Sequence, residues 1–88
     1  SVEEKESAAL IYKTLLCVKE KFQTENHSEI FKWVTNQFSN HPLLNLEYFQ
    51  ISDSKNLTPI EQNRQIKYRA FIAVFAGDVR LIDNIALN

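Results

Sequence analysis

Apolar positions in the first quarter of the chain recur at helical spacing. Ala8, Ile11, Tyr12, Leu15, Leu16, Val18 and Phe22 form a stripe, and Glu3, Glu4, Lys5, Lys13, Lys19 and Glu20 fall mainly on the other side. The pattern predicts a helix from about Val2 to Phe22, uninterrupted by glycine or proline. Ser1 followed by Glu4 fits a capping box at its start, hydroxyl and carboxylate each accepting from a backbone N–H. Thr24-Glu25-Asn26-His27-Ser28 is polar and reads as a turn. A second helix is expected from about Ser28 to Ser39, with Ile30, Phe31, Val34 and Phe38 on its buried side and Trp33 at the margin. Asn26 and Glu29 can serve as its reciprocal caps. Pro42 ends it, because the residue before a proline avoids the helical conformation. Two helices joined by so short a link are expected to be antiparallel neighbours.

The period then changes. Leu44, Leu46 and Tyr48 alternate with Asn45 and Glu47, whereas Phe49 and Ile51 take the opposite parity. A strand over Leu46–Ser52 is predicted, with either both faces partly covered or a bulge near Tyr48. Asp53 to Gln65 is polar, contains Thr58-Pro59, and reads as a loop with room for one helical turn. Lys67 to Ala76 is the most apolar stretch and predicts a central strand, and Val79 to Ile85 predicts the last one. Between them stands Gly77, the single glycine of the chain, followed by Asp78. Two-residue hairpin loops need positive φ at their first position, which in the II′ turn is typically glycine. A hairpin at Gly77-Asp78 would pair Arg80 with Phe75 and Leu81 with Val74. The expected fold is α+β: two antiparallel helices on one face of a small three-stranded, mainly antiparallel sheet. Strand parity puts Ile72, Val74 and Leu81 against the helices with Ile11, Leu15, Val34 and Phe38, and Phe75 and Arg80 on the open face.

Composition narrows the function classes. At 88 residues the chain is read as one domain, spanning 1–88, with a modest core and no room for a deep cleft. The formal net charge of −1 gives no reason to expect nucleic acid, whose binders present a net basic face. No apolar run reaches the length of a bilayer span, so no membrane partner is expected. The single Cys17 cannot form an internal disulfide, which favours a reducing, cytoplasmic setting. A chain without methionine that opens directly on a helix signal is expected to be part of a longer protein.

Few side chains suggest chemistry. His27 and His41 lack a second ligand at helical spacing and Cys17 lacks a cysteine partner, so no metal site is expected. One glycine cannot build a phosphate cradle. Arg80, Asp83 and Asn84 are the constellation that stands out. Val79, Leu81 and Asp83 share one parity, and Arg80, Ile82 and Asn84 the other. A guanidinium and a carboxylate there could grip an anion or a neighbouring domain, or could tie down the last strand.

The ending Gly77-Asp78-Val79-Arg80-Leu81-Ile82-Asp83-Asn84 resembles the C-terminal end of the pantothenate synthetase (pantoate–β-alanine ligase) family. Upstream, Tyr48-Phe49-Gln50-Ile51-Ser52-Asp53 resembles that family's Y-x-x-I-x-D strand, and Asn56-Leu57-Thr58-Pro59-Ile60 its following turn. The opening Ser1-Val2-Glu3-Glu4 resembles the helix after its Ser-Ser-Arg-Asn motif. The resemblance covers the whole chain but only the smaller, C-terminal part of such an enzyme. It implies a lid domain on a ligase that uses ATP and magnesium to activate pantoate as an adenylate. β-Alanine then captures the adenylate, yielding pantothenate, AMP and pyrophosphate. The family's nucleotide-binding domain and its G-x-L-H-x-G-H motif are not in this sequence, so no catalytic or cofactor-binding residue transfers and this chain alone is expected to be inactive. The implied partner is the parent's own N-terminal nucleotide-binding domain, in a homodimeric parent. Gly77, Arg80, Leu81, Ile82, Asp83 and Asn84 are then structural or inter-domain residues. The rival expectation is a free-standing α+β protein-interaction module.

Overall fold

Gly77 adopts φ of +61°, the positive value required at the first position of a tight hairpin turn. It joins β2 (Tyr68–Ala76) to β3 (Val79–Ala86). The computed structural model describes residues 2–53 and 67–88, in the order α1 (Val2–Lys21), α2 (His27–Ser39), β1 (Leu44–Asp53), β2, β3. The expected cap at Ser1 and the expected loop and turn at 54–65 lie outside the described residues.

The sheet is antiparallel throughout, in the order β1-β2-β3, with both helices packed on one face. The hairpin register pairs Phe75 with Arg80 and Val74 with Leu81, as the turn position requires. In β1 the ladder passes from Leu46↔Val74 to Tyr48↔Ala73, leaving Glu47 as the extra residue of a bulge. That insertion accounts for the parity break. Leu44 and Leu46 face the core before it, and Phe49 and Ile51 after it. The strand starts earlier than its alternation suggests, because Leu44 pairs with Ala76 and is buried.

Helix α2 is set by its cap. The Asn26 side chain accepts from the Glu29 N–H at 2.8 Å, and the Asn26 N–H donates to the Glu29 carboxylate at 3.2 Å. Ile30, Val34 and Phe38 are its buried residues. Phe31 departs from the expected stripe: it is 39% exposed and meets Phe49 edge-on at 5.0 Å, covering the rim of the core. Helix α1 is rotated from its expected stripe in the same way. Ile11, Thr14, Leu15 and Val18 are buried, whereas Ala8, Tyr12 and Leu16 are exposed. Thr14 can replace an apolar residue because its hydroxyl donates to the Leu10 carbonyl at 2.8 Å, leaving its methyl to pack. Glu3 and Glu4 in the first turn and Lys19 and Lys21 in the last match the helix dipole.

The core lies between the helices and the inward face of the sheet. Ile11, Leu15, Val34 and Phe38 pack with Ile72 and Val74, and Leu81 lies against the cluster, partly buried. Val79, of the same parity as Leu81, is 39% exposed at the turn end. Leu87 is buried in the same core, and its N–H donates to the Tyr68 carbonyl at 2.9 Å.

Two stability measurements check this account. A Cβ at Gly77 would meet nothing within 4 Å, so substitution there acts through the backbone alone. Gly77→Val should cost about 1–3 kcal/mol in denaturant melts, and Gly77→Asn clearly less, since asparagine tolerates positive φ. Asn26→Ala removes one arm of the cap and should cost about 1 kcal/mol; an unchanged midpoint would show that α2 does not depend on it.

Candidate inter-domain face

The residues of interest in β3 divide between its two faces. Asp83 points toward the helix side with Leu81, and its carboxylate accepts from the Asn84 N–H at 2.8 Å. Arg80, Ile82 and Asn84 project from the other face, all exposed. The Arg80, Asp83 and Asn84 trio is therefore not one site. Each polar member instead finds a partner on its own side of the sheet.

On the open face Arg80 reaches across the central strand to β1. Its Nε donates to Glu47 Oε1 at 2.6 Å and its Nη2 to Oε2 at 3.3 Å, a two-point guanidinium–carboxylate pair. Strands lie about 4.8 Å apart, so the pair spans roughly 10 Å over β2. The bulge makes this geometry available by supplying Glu47 as a residue outside the regular ladder. Glu47 raises the Arg80 pKa above its ordinary value, through the hydrogen bond first and then through its charge. Farther along the same face, Arg69 donates to the Asn84 side-chain oxygen, joining β2 to β3.

Between these polar groups runs an apolar column. The pairing register sets Phe75 beside Arg80, Ala73 between Tyr48 and Ile82, and Phe71 between Gln50 and Asn84. Ala73 is fully buried, with the larger Tyr48 and Ile82 as its partners on the two neighbouring strands. Tyr48 is 38% and Ile82 58% exposed. Phe75 and Arg80 thus lie on the open face, as strand parity requires. Nothing in the sequence alone singles out Glu47 or Arg69 as a site residue. The parity break at residue 47 was the visible signal, but connecting it to Arg80 needs the register of all three strands.

Two of the hollows among the described residues lie beside charged groups. The hollow beside the turn has a volume of about 170 Å³ and is lined by Glu3, Glu4, Ser7, Leu43, Ala76 and Gly77, two carboxylates that repel phosphate. A wider hollow of about 390 Å³ includes Lys21, but that ammonium is paired with Glu25 at 3.3 Å and sits 4.8 Å over the Trp33 ring. Among the described residues no group of three or more His, Cys, Asp or Glu could hold a metal ion. Likewise, no described helix is long and apolar enough to cross a membrane.

Both partners of the Glu47–Arg80 pair are open to solvent, with side-chain exposures of 36% and 45%. Exposed pairs are screened by salt and contribute little to stability. Glu47→Ala and Arg80→Ala should each lower the melting midpoint only slightly, with a mutual coupling that disappears at high salt. A large, salt-independent coupling in a double-mutant cycle would mean that the pair is shielded from water.

Known proteins are similar to this chain along its length. The family model described as Pantoate-beta-alanine ligase matches residues 1–86. A pantothenate synthetase of Flavobacterium psychrophilum is 47% identical over the whole chain, and one of Christiangramia forsetii is 45% identical over the whole chain. One of Thermosipho africanus is 40% identical over 97% of the chain. The matches cover 32%, 31% and 31% of those relatives, so the chain spans about a third of the length of the curated relatives it matches. The chain belongs to the pantoate–β-alanine ligase family.

Proposed function

We propose that this chain is the C-terminal lid domain of a pantothenate synthetase. The parent joins pantoate to β-alanine at the expense of ATP, through a pantoyl adenylate, with AMP and pyrophosphate released. The observation that carries the reading is a mismatch of extent. The chain matches its relatives from end to end, yet corresponds to only about a third of them. In this reading the nucleotide is held elsewhere in the parent. Adenylate formation needs donors around the phosphates and a positioned carboxylate, and these belong to the remaining two thirds.

A domain without its own chemistry still has a purpose in such a reaction. An acyl adenylate is a mixed anhydride that water destroys, so closure over the cleft protects it until the amine arrives. ATP and magnesium belong to the larger domain in this reading. The parent's dimeric state and cytoplasmic location are parts of the same proposal. The apolar open face also suits a free-standing interaction module. A start codon immediately before Ser1 in the gene would favour that alternative, and an upstream frame encoding strand–helix units would remove it.

Alone, the 88-residue chain should release no AMP from ATP with pantoate and β-alanine. Calorimetric titration with ATP should give a Kd weaker than about 10 μM, near −7 kcal/mol. Joined to the nucleotide-binding domain, it should raise turnover. Robust AMP release or tighter ATP binding by the isolated chain would place the active site within these residues and overturn the lid reading.

A further inference from the structure

We propose that the face of the sheet opposite α1 and α2, centred on Phe71, Ala73, Phe75, Tyr48 and Ile82 and crossed by the Glu47–Arg80 pair, docks on the larger domain of the same ligase chain. The proposal rests on the lid reading above and names the surface through which that lid acts.

Three observations support this occupant. First, the face is organised as protein contacts are, with an apolar centre inside a polar rim. Phe75, Ala73 and Phe71 run down the middle, and Arg80 and Asn84 lie at its edge. Arg80 and Asn84 already have partners in Glu47 and Arg69, so neither brings an unpaired polar side chain to the contact. Ile82 is left 58% exposed on this face.

Second, the area selects a tethered partner over a free one. The central strand is nine residues long. At about 3.3 Å per residue and about 4.8 Å per strand, the face measures roughly 30 by 14 Å, or about 400 Å² on each side. The total of about 800 Å² lies within the range of contacts between domains of one chain. It falls short of the roughly 1,200 Å² at which stable complexes of separate proteins begin. A covalent link supplies the effective concentration that so small a contact needs.

Third, the route of the chain allows it. The first turn of α1 lies beside the Gly77 turn, with Glu3, Glu4 and Ser7 sharing a hollow with Ala76 and Gly77. A larger domain joined ahead of Val2 therefore enters at the end of the sheet that carries Phe75, Arg80 and Glu47. It can meet the open face without passing around the helices.

The test uses the full-length ligase with single cysteines at two positions, Ile82→Cys on the face and Thr35→Cys on the exposed side of α2. Maleimide labelling is followed by peptide mass, which separates both from Cys17, and each rate is normalised to that in denaturant. Position 82 should label about tenfold more slowly than position 35, equivalent to about 1.4 kcal/mol of protection. Adding ATP and pantoate should widen the gap. Equal rates with and without these substrates would overturn the proposed face while leaving the lid reading to its own AMP assay. Protection that disappears on dilution would also overturn it, by assigning the face to a second copy. Protection that persists on dilution and ignores the substrates would support the docking surface and remove the lid.

Discussion

Everything in this fold depends on one buried layer, the inward side of β2 pressed against α1 and α2. Ala70, Ile72 and Val74 are fully buried there, beside Ile11, Leu15, Ile30 and Val34. A three-stranded sheet gains independent stability only when a hydrophobic face is covered, and each helix needs a partner for its apolar stripe. The layer satisfies both requirements at once. It also leaves the fold with two unlike sides. One is sealed by helices and the other, among the described residues, carries only strand side chains.

The unlike sides give the bulge at Glu47 its importance. A regular β1 would have sent Phe49 and Ile51 outward once Leu44 and Leu46 were directed inward. One inserted residue lets both pairs reach the core. It also sets Glu47 where Arg80 can reach it from the far strand. The geometry of the candidate face is thus a by-product of packing the core. Burial on one side dictates which groups are presented on the other.

Features decided over a few residues were legible in the sequence. The lone glycine marked the hairpin, Asn26 and Glu29 marked the start of α2, and the parity change marked the bulge. In each case the cause lies in local backbone conformation or hydrogen bonding. The rotation of the helices was not legible. Leu16 is as apolar as Leu15 and Tyr12 falls on the same stripe, so periodicity alone does not separate the buried positions from the exposed ones, and Thr14 is concealed by its hydroxyl. Phe31 leaves its expected stripe for a related reason, because an aromatic can serve as the rim of a core as well as its centre. The Glu47–Arg80 contact joins residues 33 positions apart. It exists only once two registers and one bulge are combined, a composite that no short motif encodes.

The same bulge bears on how the molecule behaves in a crowd. β1 is an edge strand of the sheet, and a long regular edge invites a foreign strand to extend it into an aggregate. An inserted residue interrupts the ladder and increases the local twist. An incoming strand would meet hydrogen-bonding groups out of step with its own, next to a charged carboxylate. The irregularity that lets β1 pack inward therefore also makes it a poor template for uncontrolled polymerisation.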